Sequence, residues 1–149
     1  MATIATSPTA PRPAVAVRRG RYALVGLGAI VAAALANALV HVVGDALIGY
    51  DPRFVELGSA VGIAIFTTVP ATGAVLVYGA LLRFARRPAR TFAIVAAVVL
   101  AISIIPDLTY IPMEPGATAG QAAVLVTMHV VAAAILTGML TGLARPRDR

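Results

Sequence analysis

A chain of 149 residues that is 60% hydrophobic and only 12% charged, with a mean hydropathy of +0.92, is too apolar for an ordinary soluble domain. At about 20 apolar residues per membrane crossing there is room for four spans with short loops and none for a separate soluble catalytic domain. Cysteine is absent, which excludes disulfides, zinc-thiolate and iron–sulfur sites and thiol nucleophiles, and the net charge of +6 rests on arginine without a single lysine.

Residues 1–20, rich in Pro, Thr and Ser and without apolar periodicity, are expected to form a disordered cytoplasmic tail. Residues 21–145 are expected to form one all-α domain, a four-transmembrane-helix bundle, with spans at about 22–44, 57–82, 91–110 and 118–144. Helices are expected because open strands leave backbone groups unsatisfied in lipid, and no segment alternates as barrel strands do. A signal-peptide reading of the first span is outweighed by its apolar run, which continues to Val43 and exceeds the usual core of about 7 to 15 residues. The third span is the shortest before it meets an acid, so either Asp107 lies inside the outer boundary or the helix runs on toward Tyr110.

Arginines give the orientation. Arg12, Arg18, Arg19 and Arg21 precede span one, Arg83, Arg86, Arg87 and Arg90 fill the middle loop, and Arg145, Arg147 and Arg149 follow span four, which leaves only Arg53 on the opposite side. The positive-inside rule then predicts an N-in/C-in topology in a bacterial plasma (inner) membrane. That distribution also argues against a nucleic-acid partner, because the positive charge borders the spans instead of forming a separate basic domain. The outer loops carry Asp45, Asp51, Glu56, Asp107 and Glu114. Tyr22, Phe84 and Phe92 are expected in the inner aromatic belt, and Tyr50, Phe54 and Tyr110 in the outer one.

Polar residues inside the spans are the candidate site. Asn37, His41 and Asp45, spaced by four, share one face of span one, and Thr67 and Thr68 lie beside Pro70 in span two. Ser103 and Asp107 end span three, and span four carries Gln121, His129, Thr137 and Thr141. A rise of about 1.5 Å per residue places Asn37 roughly 10 Å deep, His129 roughly 10 to 15 Å and the span-two threonines at about 15 Å. The expected ligand-binding set is Asn37, His41, Asp45, Thr67, Thr68, Ser103 and His129, in a polar outer half that opens toward the acidic external loops. His129, His41 and Asp107 are the candidate catalytic groups, since histidine titrates near neutrality and a buried carboxylate is costly without a partner. Hydroxyls in spans more often bond their own helix, and Asn37 is also suited to an interhelical hydrogen bond. Gly58 and Gly62, and Gly138 and Gly142, form two GxxxG pairs that predict close helix packing.

The segment Ala32 to Val40 after an arginine-led start, the arginine-rich middle loop followed by Ala96 to Leu100 and Ser103 to Pro106, and the last-span run Met128 to Ala134 form a combined pattern. That pattern resembles an uncharacterised family of small actinobacterial four-span membrane proteins, over about residues 20 to 145. The resemblance implies a four-helix membrane fold and supplies no activity.

Two function classes remain open from the residues. The first is a non-enzymatic module that binds a membrane lipid, a small hydrophobic molecule or a partner membrane protein through the polar pocket. The second is an intramembrane enzyme or cofactor protein in which His129, with Asn37, His41 and a nearby Asp, does acid-base work on an apolar substrate. No metal site or cofactor is expected, and haem between the two histidines would need them at one level, whereas His41 lies only a few ångströms deep. The arginine asymmetry predicts that a reporter fused after Arg149 is active only in the cytoplasm; activity confined to the external side would reverse the topology.

Overall fold

The structure, a computed structural model, describes residues 19–144. They form four helices, α1 (Arg19–Ile48), α2 (Ala60–Phe84), α3 (Pro88–Thr109) and α4 (Ala119–Leu143), with single 3₁₀ turns at Val55–Leu57 and Ile111–Met113. Each of the four is long and apolar enough to cross a membrane. Most of the tail expected at 1–20 lies outside the described residues, but Arg19 and Gly20 already belong to α1.

Local chemistry sets the helix ends. Ser59 caps α2 by accepting from the Gly62 N–H at 3.3 Å, and Thr118 caps α4 by accepting from the Gln121 N–H at 3.2 Å. Pro88 opens α3 at its first turn, where a missing N–H costs nothing. At the other end α3 continues through Pro106 to Thr109 and so carries Asp107 inside the helix, which answers the question left by its short charge-free stretch. In contrast, α2 starts three residues after the expected 57, because residues 55–57 are wound into the tighter turn.

Packing is uneven. Helix α1 lies closely against both α2 and α4, and α3 packs mainly on α4, while α2 and α3 touch sparingly. Small residues make the close approach possible: Ala29 and Ala33 are fully buried against Ala71 and Leu136. A Cβ at Gly26 would stand 2.8 Å from Val75 Cγ1, so this crossing needs glycine. Neither GxxxG pair contributes as expected. Among the described residues nothing lies within 4 Å of a Cβ built at Gly138 or Gly142, and at Gly62 the neighbours are atoms of the cap residue Ser59.

Apolar clusters lie toward both ends. At the end that carries the α2–α3 loop Tyr78, Phe92, Leu140 and Ala144 pack together, with the Tyr78 and Phe92 rings edge to face at 5.0 Å. At the opposite end Phe54, Leu57, Ile63, Ile111, Ala122 and Met128 form a second cluster. Phe54 and Phe92 are therefore core residues and not belt residues, while Phe84 and Tyr110 stay exposed. The outer loops are locked to each other: Gly116 has φ +79°, and a Cβ there would meet Asp51 Cγ at 2.9 Å and Arg53 Cβ at 3.0 Å. The Arg53 guanidinium, 2.8 Å from Asp51, lowers that carboxyl to about 2. Since the shift is downward, the pair's contribution is present at neutral pH and is lost only as pH falls through about 2.

Candidate functional site: a lateral cleft with one polar wall

Because α2 and α3 stand apart, a cavity of about 470 Å³ remains between them and α4, within the roughly 300–1,000 Å³ typical of ligand pockets. It follows α3 from Phe92 to Asp107, about 22 Å along the helix axis at 1.5 Å per residue. Phe66 and Val99, on the two helices that border the gap, line it and are 78% and 58% exposed. The cavity thus opens sideways between α2 and α3. Glu56, from the loop between α1 and α2, also lines it, so the cleft extends to the acidic loop end as well as to the side.

Five expected site residues meet in this cleft: Asn37, Thr67, Ser103, Asp107 and His129. The Asn37 Nδ2 donates to Thr67 Oγ1 at 3.0 Å across the α1–α2 crossing, a buried interhelical hydrogen bond. Asn37 Oδ1 has no hydrogen-bond partner. The His129 Nδ1 sits 3.0 Å from the Leu125 carbonyl and 3.0 Å from Asp107 Oδ2. Two acceptors facing one nitrogen place the proton on Nδ1 and leave Nε2 as the nitrogen that can accept or take up a proton. The directed bond goes to Leu125. Asp107 Oδ2, at the same distance, accepts no well-directed hydrogen bond, although its residue is only 5% exposed. The Ser103 hydroxyl donates to the Leu100 carbonyl at 2.9 Å.

The other expected residues lie elsewhere. Thr68 turns away from the cleft and donates to the Ala64 carbonyl at 2.8 Å, as Thr72, Thr109, Thr127 and Thr141 do to carbonyls of their own helices. His41 and Asp45 belong to a separate corner around Tyr50. The His41 and Tyr50 rings are 5.1 Å apart, the Tyr50 hydroxyl donates to the His41 carbonyl at 2.8 Å, and Asp45 Oδ1 accepts from the Tyr50 N–H at 2.9 Å. Burial, helped by the nearby Asp45 charge, pushes the Tyr50 phenol up, so it stays a donor at neutral pH. The four-residue spacing that grouped Asn37, His41 and Asp45 holds for the helix face, but Tyr50 engages His41 and Asp45 away from the cleft.

Two polar residues were not placed in the site by the sequence pattern. Glu56, on the 3₁₀ turn between α1 and α2, lines the cleft. Gln121 is fully buried at the start of α4, where Thr118 Oγ1 donates to its Oε1 at 2.7 Å and its Nε2 has no partner. Its place within an apolar span is a visible signal, whereas nothing in the spacing around Glu56 distinguishes it from the other loop acids.

Four membrane-length helices around a laterally open cavity define a small multi-pass membrane protein. The chain belongs to a family of unknown function (DUF6069), whose model matches residues 17–146. No curated protein and no solved structure matches it.

The Asn37–Thr67 bond should carry a measurable share of the α1–α2 contact. In a double-mutant cycle with Asn37→Leu and Thr67→Val, unfolding in mixed micelles is expected to give a coupling of about 0.5 to 1.5 kcal/mol. Strict additivity would mean that the bond contributes nothing.

Proposed function

We propose that this protein is a non-enzymatic membrane module that holds a small hydrophobic molecule or a lipid in the α2–α3 cleft. The reading places it in a bacterial plasma membrane with both termini and the α2–α3 loop cytoplasmic, as the arginine distribution favours. An actinobacterial source suits the alanine- and arginine-rich, lysine-free composition. The observation that carries the binding reading is the cavity's makeup: a long apolar wall, open to the side, with a few polar residues in its lining, among them Asn37, Thr67, Asp107 and His129. Pockets with this balance hold an apolar body and orient it through a few polar contacts. A partner membrane protein would have to insert a side chain or helix into the same gap, and the narrow, elongated cleft favours a single chain-like molecule.

A second reading draws on one distance. With Asp107 Oδ2 3.0 Å from His129 Nδ1, the carboxylate can stabilise an imidazolium whose Nε2 has taken a proton from a bound substrate. Acid-base chemistry on an apolar substrate would then use His129 as the base and Asp107 as its orienting partner. His41, against Tyr50, has no part in it.

The binding reading predicts that the full chain, extracted in mild detergent, carries a co-purifying hydrophobic molecule detectable by mass spectrometry. Ala96→Phe, which fills the middle of the cleft, should remove that molecule while circular dichroism and the melting temperature show a folded bundle. An unchanged complement of bound molecules in this variant would contradict the reading. In His129→Gln, loss of turnover with binding retained is the signature of the enzyme reading.

A further inference from the structure

We infer that the molecule held in the cleft is a protonated long-chain amine that enters from the bilayer between α2 and α3. This inference deepens the binding reading and rests on it. Shape is the first argument: a cavity of about 470 Å³ drawn out over about 22 Å of helix suits one extended chain and not a two-chain or polycyclic lipid. Charge is the second. Asp107 and Glu56 both line the cleft, and among the described residues no arginine does; Arg53 is engaged by Asp51 at 2.8 Å, and the basic residue lining the cleft is His129, 3.0 Å from Asp107. The third argument is the state of the buried oxygens. Asn37 and Asp107 are 4% and 5% exposed; Asn37 Oδ1 lacks a hydrogen-bond partner, and Asp107 Oδ2 has only the 3.0 Å approach of His129 Nδ1, whose directed bond goes to Leu125.

Unsatisfied buried acceptors call for a donor. An ammonium brings three N–H groups, no acceptor and a positive charge, so its chemistry matches a cleft lined by unmet acceptors and two acids. A hydroxyl has a single hydrogen to give and leaves one oxygen unmet. A carboxylate or phosphate head would set a second anion against Asp107 with no arginine to compensate it.

The test uses the full chain in nonionic maltoside micelles, with hexadecylamine, hexadecanol and palmitate as probes of equal chain length. Dissociation constants come from the dependence of the melting temperature on probe concentration. Hexadecylamine should bind at least about tenfold more tightly than either of the others. Asp107→Asn should erase that preference, and Ala96→Phe should abolish binding of the amine. Palmitate or hexadecanol binding as tightly as the amine would overturn the inference while leaving the cleft as a binding site. If no probe binds, or if Ala96→Phe leaves amine binding unchanged, the binding reading falls with it. The wild-type chain alone decides among the three head groups, whether or not Asp107→Asn folds.

Discussion

The close crossing of α1 with α2 and α4, made by Gly26, Ala29 and Ala33 against Val75, Ala71 and Leu136, is the contact on which the rest of the molecule depends. In a bilayer, helices gain little by hiding apolar surface from one another, so they associate where small residues let backbones approach and side chains interlock. Helix α1 supplies such residues on the faces toward both neighbours. At the seam between α2 and α3 the large side chains Phe66 and Val99 stay exposed, and the helices stand apart. A tight three-helix contact with α3 resting on α4 leaves the cleft as its consequence.

The polar atoms are distributed by the same constraint. Lipid offers no hydrogen bonds, so hydroxyls in the spans bond carbonyls of their own helix, as Thr68 does, or a neighbouring side chain, as Thr67 does. Of the buried polar atoms left without a directed hydrogen bond, Asn37 Oδ1 and Asp107 Oδ2 belong to residues that line the cleft, whereas His41 Nδ1 and Gln121 Nε2 do not. Phe66 and Val99, exposed on the flanking helices, leave the cleft open to the side.

Much of the fold could be read from the residues because it follows from hydropathy, which is a one-dimensional property: four apolar stretches give four helices. Asn37, Ser103, Asp107 and His129 were also legible, since a polar group at depth is costly and faces the bundle. Sequence spacing failed where the outcome depended on which helices approach closely. It could not show that α2 and α3 part, so it missed the lateral opening, and it assigned Phe54 to a belt. It also took the i, i+4 register of Asn37, His41 and Asp45 as a shared site, whereas the last two are engaged by Tyr50 and do not line the cleft. The GxxxG pairs misled for a related reason: in an alanine-rich chain small residues occur on every face, and only the helix arrangement selects which of them are used.

That the cleft faces lipid and not water is the claim on which both functional readings rest. The chain contains no cysteine, so Ala96→Cys in the full chain offers a unique site for an environment-sensitive fluorophore inside the cleft. In vesicles, the account predicts strong quenching of this label by brominated acyl chains and little by aqueous iodide. Quenching by iodide, with the brominated lipids without effect, would show a cavity open to water and contradict it.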